Sequence, residues 1–510
     1  MENKCLKTQI YMNETIVNET GEVPVDIDFT MPDYYPDIVK ILKCRAVPRI
    51  SSKSASGKKI TVDGSVCVNM FYSDENGHLN SFEYQYLFTK NFECNDDVGD
   101  ADITANAKCE YMNCRAITSR KADIHGAVSV RIKAAVRRSK DIITDYDDKN
   151  IELNRGTSPA TSPMGCSEKY LLVDEDIELG ETSQSVRTII RYDAVPAVKE
   201  CKIMAGKTMV KGDIEVTVLC CMTDSSTQTV RSTVPFSQML ETENANESCE
   251  CTASVQMAFL DIKPRSNASG DTKSLQMNAK LCVCCETYCN NDVEVVLDAY
   301  SRKYSADIEK CDIVFNKIHT TVSDTFTVKT SLDFADGNIS NIVDMWCEVG
   351  SKDININADN MTVSGTVTSY ILAYGDDNNA VFCEKESNFE HTYSLGGVNG
   401  DIYCDPQLTV KSCNYTITSS SGIDIRIELC VNAPVCERNN VSLITDISVD
   451  ENKQIEKTDR GALTIYFASG GEKIWDIARK YRSSTDEIKT VNEISEDVLQ
   501  SDKMIFVPIS

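Results

Sequence analysis

Histidine and tryptophan are nearly missing from this chain, with four and two copies in 510 residues. The histidines, His78, His125, His319 and His391, stand far apart and match no HExxH or other paired-ligand spacing, so they outline no metal site. No run of about 18 apolar residues occurs, which leaves no membrane span. The opening "MENKCLKTQI" lacks the apolar core of a secretory signal, so a chain that stays inside the cell is expected. Basic charge is also short: 52 Lys and Arg face 78 Asp and Glu, a net charge of −26. Phosphate binding needs clustered cations that release counterions, and no basic stripe interrupts the acidity. Nucleic acid and anionic membranes are therefore set aside as partners. Proteins and neutral polymers remain.

What is present points to ordinary globular structure. An apolar content of 41% supplies real cores, and the length suggests about three to four domains at roughly 100–200 residues each. There are 23 cysteines, many in strand-like runs such as Cys67 in "SVCVNM" and Cys430 in "IELCVN". Free thiols buried as small apolar residues in a reducing compartment are the expected use, with disulfides or a metal as the alternatives.

Chemistry is hard to find. "AGKT" at residues 205–208 resembles the end of a phosphate loop, but the required earlier glycine is Cys201; a turn entering a strand is expected. "LCVCCETYC" brings Cys282, Cys284, Cys285 and Cys289 close in sequence, but Cys282 and Cys284 share one strand face, Cys285 takes the other, and no regular CxxC pair exists. Asp174, Asp176 and Glu178 share a parity opposite Val173 and Ile177, as on a solvated sheet face. No nucleophile elbow and no acid–base constellation appears. No enzyme activity, cofactor or metal is expected.

The chain repeats itself. "GKKITVDGSVCVNMFY" (57–72), "GKTMVKGDIEVTVLCC" (206–221) and "DNMTVSGTVTSYILAY" (359–374) align on Gly64, Gly212 and Gly365, which lie 148 and 153 residues apart. Behind each glycine one face carries Val66, Val68 and Met70, then Ile214, Val216 and Val218, then Val367, Ser369 and Ile371. Period two fits a half-buried strand, and the glycine suggests a bulge or bend. A second strand-like landmark follows about 60 residues later in each copy: "ADIHGAVSVRI", "KSLQMNAKLCV" and "SGIDIRIELCV". Upstream, "YYPDIVKILKCRAVP", "SQSVRTIIRYDAVP" and "NISNIVDMWCEV" echo one another as a short helix or a strand. Units near 150 residues can bury their own cores, so three related domains are expected, at 1–153, 166–305 and 313–445. "NRGTSPATSPMG" (154–165) and "DENKQIEKTDRG" (450–461) read as linkers.

The last 50 residues are built differently. Leu463 to Phe467 is β-prone, Gly470 and Gly471 turn the chain, and Ile474, Ile477, Ala478 and Tyr481 recur at helical spacing. Ser484 and Glu487 have capping-box spacing for a second helix, with Ile488 and Val491 as its buried side. Met504 to Val507 is a closing strand. The order is strand, helix, helix, strand. Trp475 is expected in the core or in a groove wall.

This unit resembles a LysM domain. Gly471, Glu472, Ile474, Trp475, Ile477, Ala478 and Tyr481 match its Gly-acid-x-Leu-Trp-x-Ile-Ala-x-x-Tyr run, Asn492 its asparagine after helix two, and "MIFVP" its final strand. The three β-rich units, with "MPDYYPDIVKIL" (31–42) and the glycine-centred strands, resemble the SPOCS domain of clostridial spore coat proteins. Together the parts resemble the SipL-type coat morphogenetic proteins. The fold so implied is mostly β: three tandem SPOCS-like domains, then a small α+β LysM domain at 462–510.

The resemblance implies a groove for N-acetylglucosamine chains between two loops, here Gly471, Glu472, Lys473 and Ile474 with Ile494 and Ser495. Lys473 departs from the family's threonine, which removes a short hydroxyl able to cap the helix or donate in the groove. It also implies a non-enzymatic coat scaffold in the mother-cell cytoplasm, gathered at the forespore surface and the spore coat. There the LysM domain would dock on the coat-assembling ATPase of the basement layer, beside other coat proteins. The alternative is a binder of peptidoglycan or another N-acetylglucosamine glycan in wall or cortex. A third reading is an enzyme whose site joins residues remote in sequence.

Overall fold

The computed structural model describes residues 5–180, 184–204, 206–242, 245–267, 270–334, 339–398, 401–419, 421–455 and 463–508. No helix among them is long and apolar enough to cross a membrane. The first repeat contains β1 (Cys5–Thr30), β2 (Lys40–Ser56), β3 (Lys59–Ser73), β4 (Leu79–Glu93), β5 (Asp102–Thr118) and β6 (Lys121–Tyr146). The second contains β7 (Ile151–Glu178), β8 (Val186–Met204), β9 (Lys207–Met222), β10 (Thr227–Glu241), β11 (Glu250–Arg265) and β12 (Ser274–Ser301). The third contains β13 (Tyr304–Asp333), β14 (Ile339–Ile356), β15 (Asn360–Gly375), β16 (Ala380–Ser394), β17 (Asp401–Cys404), β18 (Gln407–Ser419) and β19 (Gly422–Gln454).

Each repeat is a two-sheet sandwich. A short meander (β2-β3-β4, β8-β9-β10, β14-β15-β16) packs on a longer sheet (β1-β6-β5, β7-β12-β11, and β13-β19 with β17 and β18). All ladders are antiparallel. The element left open as helix or strand is the first meander strand in every copy. Val66, Val68, Met70, Ile214, Val216, Val218, Val367, Ser369 and Ile371 are all buried, as their parity requires.

Gly64, Gly212 and Gly365 occupy the central meander strand, and the irregularity they mark lies across from them. The register shifts in the facing strand, between Ile50 and Ser52, Val198 and Glu200, and Val349 and Lys352. On the other side Phe88, Phe236 and Phe389 pair directly with the three glycines. A Cβ at Gly212 would sit 2.1 Å from the Ala197 carbonyl and 2.6 Å from the Phe236 ring. The glycine exists to admit a bulged backbone on one side and an aromatic ring on the other.

The long strands extend past their own sandwiches and meet one another. Ile142, Val295 and Leu443 share one apolar cluster with Ile10, Ala160, Ile313 and Phe315, and Ile143, Val296 and Ile444 share the next. These residues are equivalent in "DIITD", "EVVLD" and "SLITD". A bulge follows in each copy, at Thr144, Leu297 and Thr445. It is followed by an aspartate that bonds a cation from the neighbouring repeat. Lys7 meets Asp446 at 3.3 Å, Arg155 meets Asp145 at 2.5 Å and Lys310 meets Asp298 at 2.9 Å. Three head-to-tail pairs close a ring within one chain.

The meanders meet at a second three-way contact. Phe71, Leu219 and Leu372, each in register with Lys43, Arg191 and Asp344, lie in one cluster with Ile190 and Trp346. Arg191, 3% exposed, bonds Asp344 of the third repeat at 2.5 Å. Arg45 bonds Asp193 at 3.0 Å and Glu348 at 2.7 Å, so it ties the first repeat to both others.

Three expectations change. Residues 154–165 are no linker: they form part of β7, paired to β12 from Asn154 through Gly165. Pro159 and Pro163 are tolerated because β7 is an edge of its sheet, where a missing N–H leaves no ladder bond open. The repeats join through the short turns around 147–150 and 302–303, and the third runs past 445 to Gln454. Of the second expected linker, residues 456–461 lie outside the described residues. Lastly, Cys249 and Cys289 form a disulfide, while 21 cysteines are free.

Asp344→Ala leaves a buried guanidinium without its cross-repeat partner, and should cost roughly 3–5 kcal/mol in urea unfolding. Adding Arg191→Met should recover part of that loss, because it removes a buried charge whose one remaining partner, Asp193, is also held by Arg45.

Candidate functional site

The C-terminal unit consists of β20 (Leu463–Ala468), α1 (Ile474–Tyr481), α2 (Thr485–Asn492) and β21 (Lys503–Pro508). Ile474, Ile477, Ala478, Ile488, Leu499, Ile505 and Val507 form its core. Val491, expected on the buried side of α2, is 50% exposed. Ser484 does cap α2 by position, but its side chain makes no capping bond. Lys473 is the N-cap of α1 and also contributes none, as the loss of a short hydroxyl there implies. Asn492 carries more weight. Its amide donates to the carbonyls of Ile488 and Phe506, and its carbonyl accepts from the Phe506 N–H, each at 2.7 Å. One side chain thus ties α2 to β21.

The two expected groove loops are zipped together by backbone. Gly471 N–H donates to the Leu499 carbonyl at 2.7 Å, Leu499 N–H to the Glu472 carbonyl at 2.9 Å, and Ile474 N–H to the Asp497 carbonyl at 2.9 Å. Gly471 has φ +93°, a conformation that favours glycine, and this lets the turn close. Gly471, Lys473 and Ser495 are exposed and Glu472 is half-buried. Ile474 is 1% exposed and faces the core, and Ile494 packs beside it, so these two hold the loops rather than offer atoms to an occupant. Tyr466 and Tyr481 stand edge to face at 5.7 Å beside this loop. A hydrogen bond to Glu472 pushes the Tyr466 phenol up from its ordinary value. Tyr466 went unnoticed in sequence because it reads only as a strand residue.

The helical face of the unit is attached to the second repeat. Trp475 is half-buried and packs against the core of the unit from its edge. Its ring rests on Tyr300 of β12 at 5.0 Å, and its Nε1 donates to Asp298 at 3.1 Å. Arg479 bonds the same Asp298 oxygen at 2.7 Å. Tyr300 donates to the Ser483 carbonyl at 2.6 Å, and Arg482 to the Ser301 carbonyl at 2.9 Å. Thr485 and Glu487 complete the seam with Glu152 and Arg302. Asp298 is therefore shared: one oxygen closes the three-way ring through Lys310, the other holds α1. Burial pushes its carboxyl up, but Lys310, Trp475 and Arg479 together hold it below the usual carboxylate value.

The remaining sequence candidates stay apart. His78, His125, His319 and His391 share no site: His125 pairs with Asp26 and His319 meets the Leu395 carbonyl. Ala205 lies outside the described residues, and Lys207 opens β9. Asp174, Asp176 and Glu178 are exposed, with Ile177 buried. Cys285 is buried while Cys282 and Cys284 are half-exposed, as their parity requires.

Residues 37–117, 185–264 and 338–418 each match the family described as SipL, SPOCS domain, and residues 471–508 match the LysM domain family. The three SPOCS matches begin 148 and 153 residues apart, the spacing of the three glycines. Each covers the meander and the strand after it, and leaves out the long strands that build the shared stalk. No curated protein and no solved structure is detectably similar to the chain.

Asp298→Ala should free the C-terminal unit without unfolding it. Hydrogen exchange should rise at residues 298–304 and 474–485 and stay unchanged in the sandwich cores. Because the Asp298 value is depressed, the wild-type seam should keep its full strength above about pH 4 and lose it as pH falls further. Acid-induced exchange at those segments should be absent in the variant, which is already open.

Proposed function

From the premise that the chain belongs with the SipL-like proteins, which join SPOCS domains to a LysM domain, we propose that it is a non-enzymatic adaptor in spore coat assembly, with its LysM loops as the docking surface for a protein. SPOCS and LysM domains are binding and scaffold modules. The single observation that carries the reading is the way the LysM unit is held. Its helical face is fastened to the second repeat through Asp298 and Tyr300, while Gly471, Lys473 and Ser495 stay exposed. A rigidly mounted recognition surface loses less freedom on binding than a tethered one.

The partner in this reading is the coat-assembling ATPase of the basement layer, met at the forespore surface from the mother-cell cytoplasm. A net charge of −26 disfavours anionic surfaces and suits partners with basic patches. The exposed meander faces of the three repeats would engage other coat proteins, with avidity set by simultaneous contact. Glycan binding is the second reading, favoured by the LysM match itself and by the Tyr466–Tyr481 aromatic pair beside the loop. The lysine in place of a small hydroxyl weighs against it, since a mobile charged chain now stands at the groove entrance.

Crosslinking in sporulating cells, followed by identification of the captured protein, tests the first reading. Lys473→Glu combined with Ser495→Arg alters two exposed loop side chains and should weaken capture of the ATPase at least about tenfold, or about 1.4 kcal/mol. Retention on peptidoglycan that chito-oligosaccharide abolishes, with no ATPase captured, would establish the glycan reading instead.

A further inference from the structure

The second repeat gathers sulfur as neither of the others does. Cys201 on β8 belongs to the meander, while Cys251 on β11 and Cys285 on β12 belong to the long sheet. Their sulfur atoms converge across the open edge of the sandwich: Cys201 stands 2.8 Å from Cys251 and 3.9 Å from Cys285, and all three lie within 4.8 Å of one another. The first and third repeats place a thiol pair on the same seam, Cys44 with Cys114 and Cys347 with Cys413, and neither brings three sulfurs within 4.8 Å of one another among the described residues. Among the described residues this is the one group of three potential metal ligands.

We propose that Cys201, Cys251 and Cys285 bind one thiophilic d10 cation, Zn2+ in the cell, through three thiolates, with the fourth position open at the rim of the second repeat. Zinc–sulfur bonds of about 2.3 Å in a tetrahedral arrangement set sulfurs roughly 3.8 Å apart. The observed separations bracket that value, so a shift of about 1 Å at Cys201 would complete the set. Cys285 is fully buried and supplies a fixed ligand, whereas Cys201 and Cys251 are half-buried and leave the ion a way in. Each metal–sulfur bond forms as a thiol proton leaves to solvent, so three protons are released and no electrons move. The ion would clamp the two sheets of the second repeat together at the edge where they lack a shared strand, and metal binding of this kind adds directly to folding stability.

The sequence hides this site because its ligands are 50 and 34 residues apart on three strands. "LCVCCETYC" draws attention to four neighbours, only one of which points inward to the cluster.

The test is cadmium titration of the full 510-residue chain, stripped with chelator and held in reductant, read by sulfur-to-cadmium charge-transfer absorption. One equivalent should bind, and zinc should displace it and raise the melting midpoint. Binding should vanish in Cys201→Ala and Cys285→Ala and persist in Cys282→Ser and Cys284→Ser, whose sulfurs lie outside the triad. Circular dichroism shows which variants fold; if Cys285→Ala does not, the half-buried Cys201→Ala decides. No charge-transfer band, a band that survives Cys201→Ala, or a band lost in Cys282→Ser would each overturn the site.

Discussion

Strands of 26 to 33 residues govern this molecule. At about 3.3 Å per residue each is on the order of 90–110 Å long, far more than one small sandwich can cover. Half of each long ribbon closes its own sandwich, and the other half has an apolar face that a two-stranded ribbon cannot bury alone. Three such ribbons bury it on one another. The repeats are therefore separate in their cores and joined in their stalks. The bulges at Thr144, Leu297 and Thr445 stop the shared apolar ladder in each ribbon and turn the next aspartate toward a cation of the neighbouring repeat.

A ring built from equivalent positions need not keep equivalent side chains. At the meander contact the three matching positions hold Lys43, Arg191 and Asp344, and two residues on they hold Arg45, Asp193 and Trp346. Identical charges there would repel across the axis. Fused into one chain, the copies are free to differ, and they differ in the sense that pairs positive with negative. Burial pushes the Asp193 carboxyl up, but Arg45 and Arg191 win and hold it low. The contact thus fixes which repeat sits beside which. Such specificity is the best-attested use of buried ion pairs.

Much of this was legible in the sequence because it depends on local period. The glycine-centred strands, their buried parity and the strand–helix–helix–strand tail all follow from spacing. What spacing and composition do not carry is tertiary context. Residues 154–165 are rich in Pro, Gly and Ser, yet an edge strand of a stalk tolerates them. Val491 has helical spacing, but α2 is only eight residues long and rotates it to solvent. Trp475 matches a domain motif, and no motif can say that another repeat will stand against it. The Cys201 cluster and the aspartate ring are invisible for the same reason, since both join strands from distant parts of the chain.

The ring also explains how one LysM unit finds one seat on a body with three similar ends. Asp145, Asp298 and Asp446 are equivalent, and each is already committed to a cation by one oxygen. Only Asp298 is followed two positions later by a tyrosine; the matching residues are Asp147 and Ser448. Tyr300 supplies the ring on which Trp475 rests and the hydroxyl that bonds Ser483, so the second repeat alone offers both an aromatic platform and a spare carboxylate oxygen. The same seat fixes the direction in which the loops face. In the adaptor reading, a partner bound at Lys473 and Ser495 would be held at the stalk end of the body, where the LysM unit is seated on Asp298 and Tyr300. The seat is thus specified by two residues of one repeat, Asp298 and Tyr300, a pair that neither of the other repeats carries.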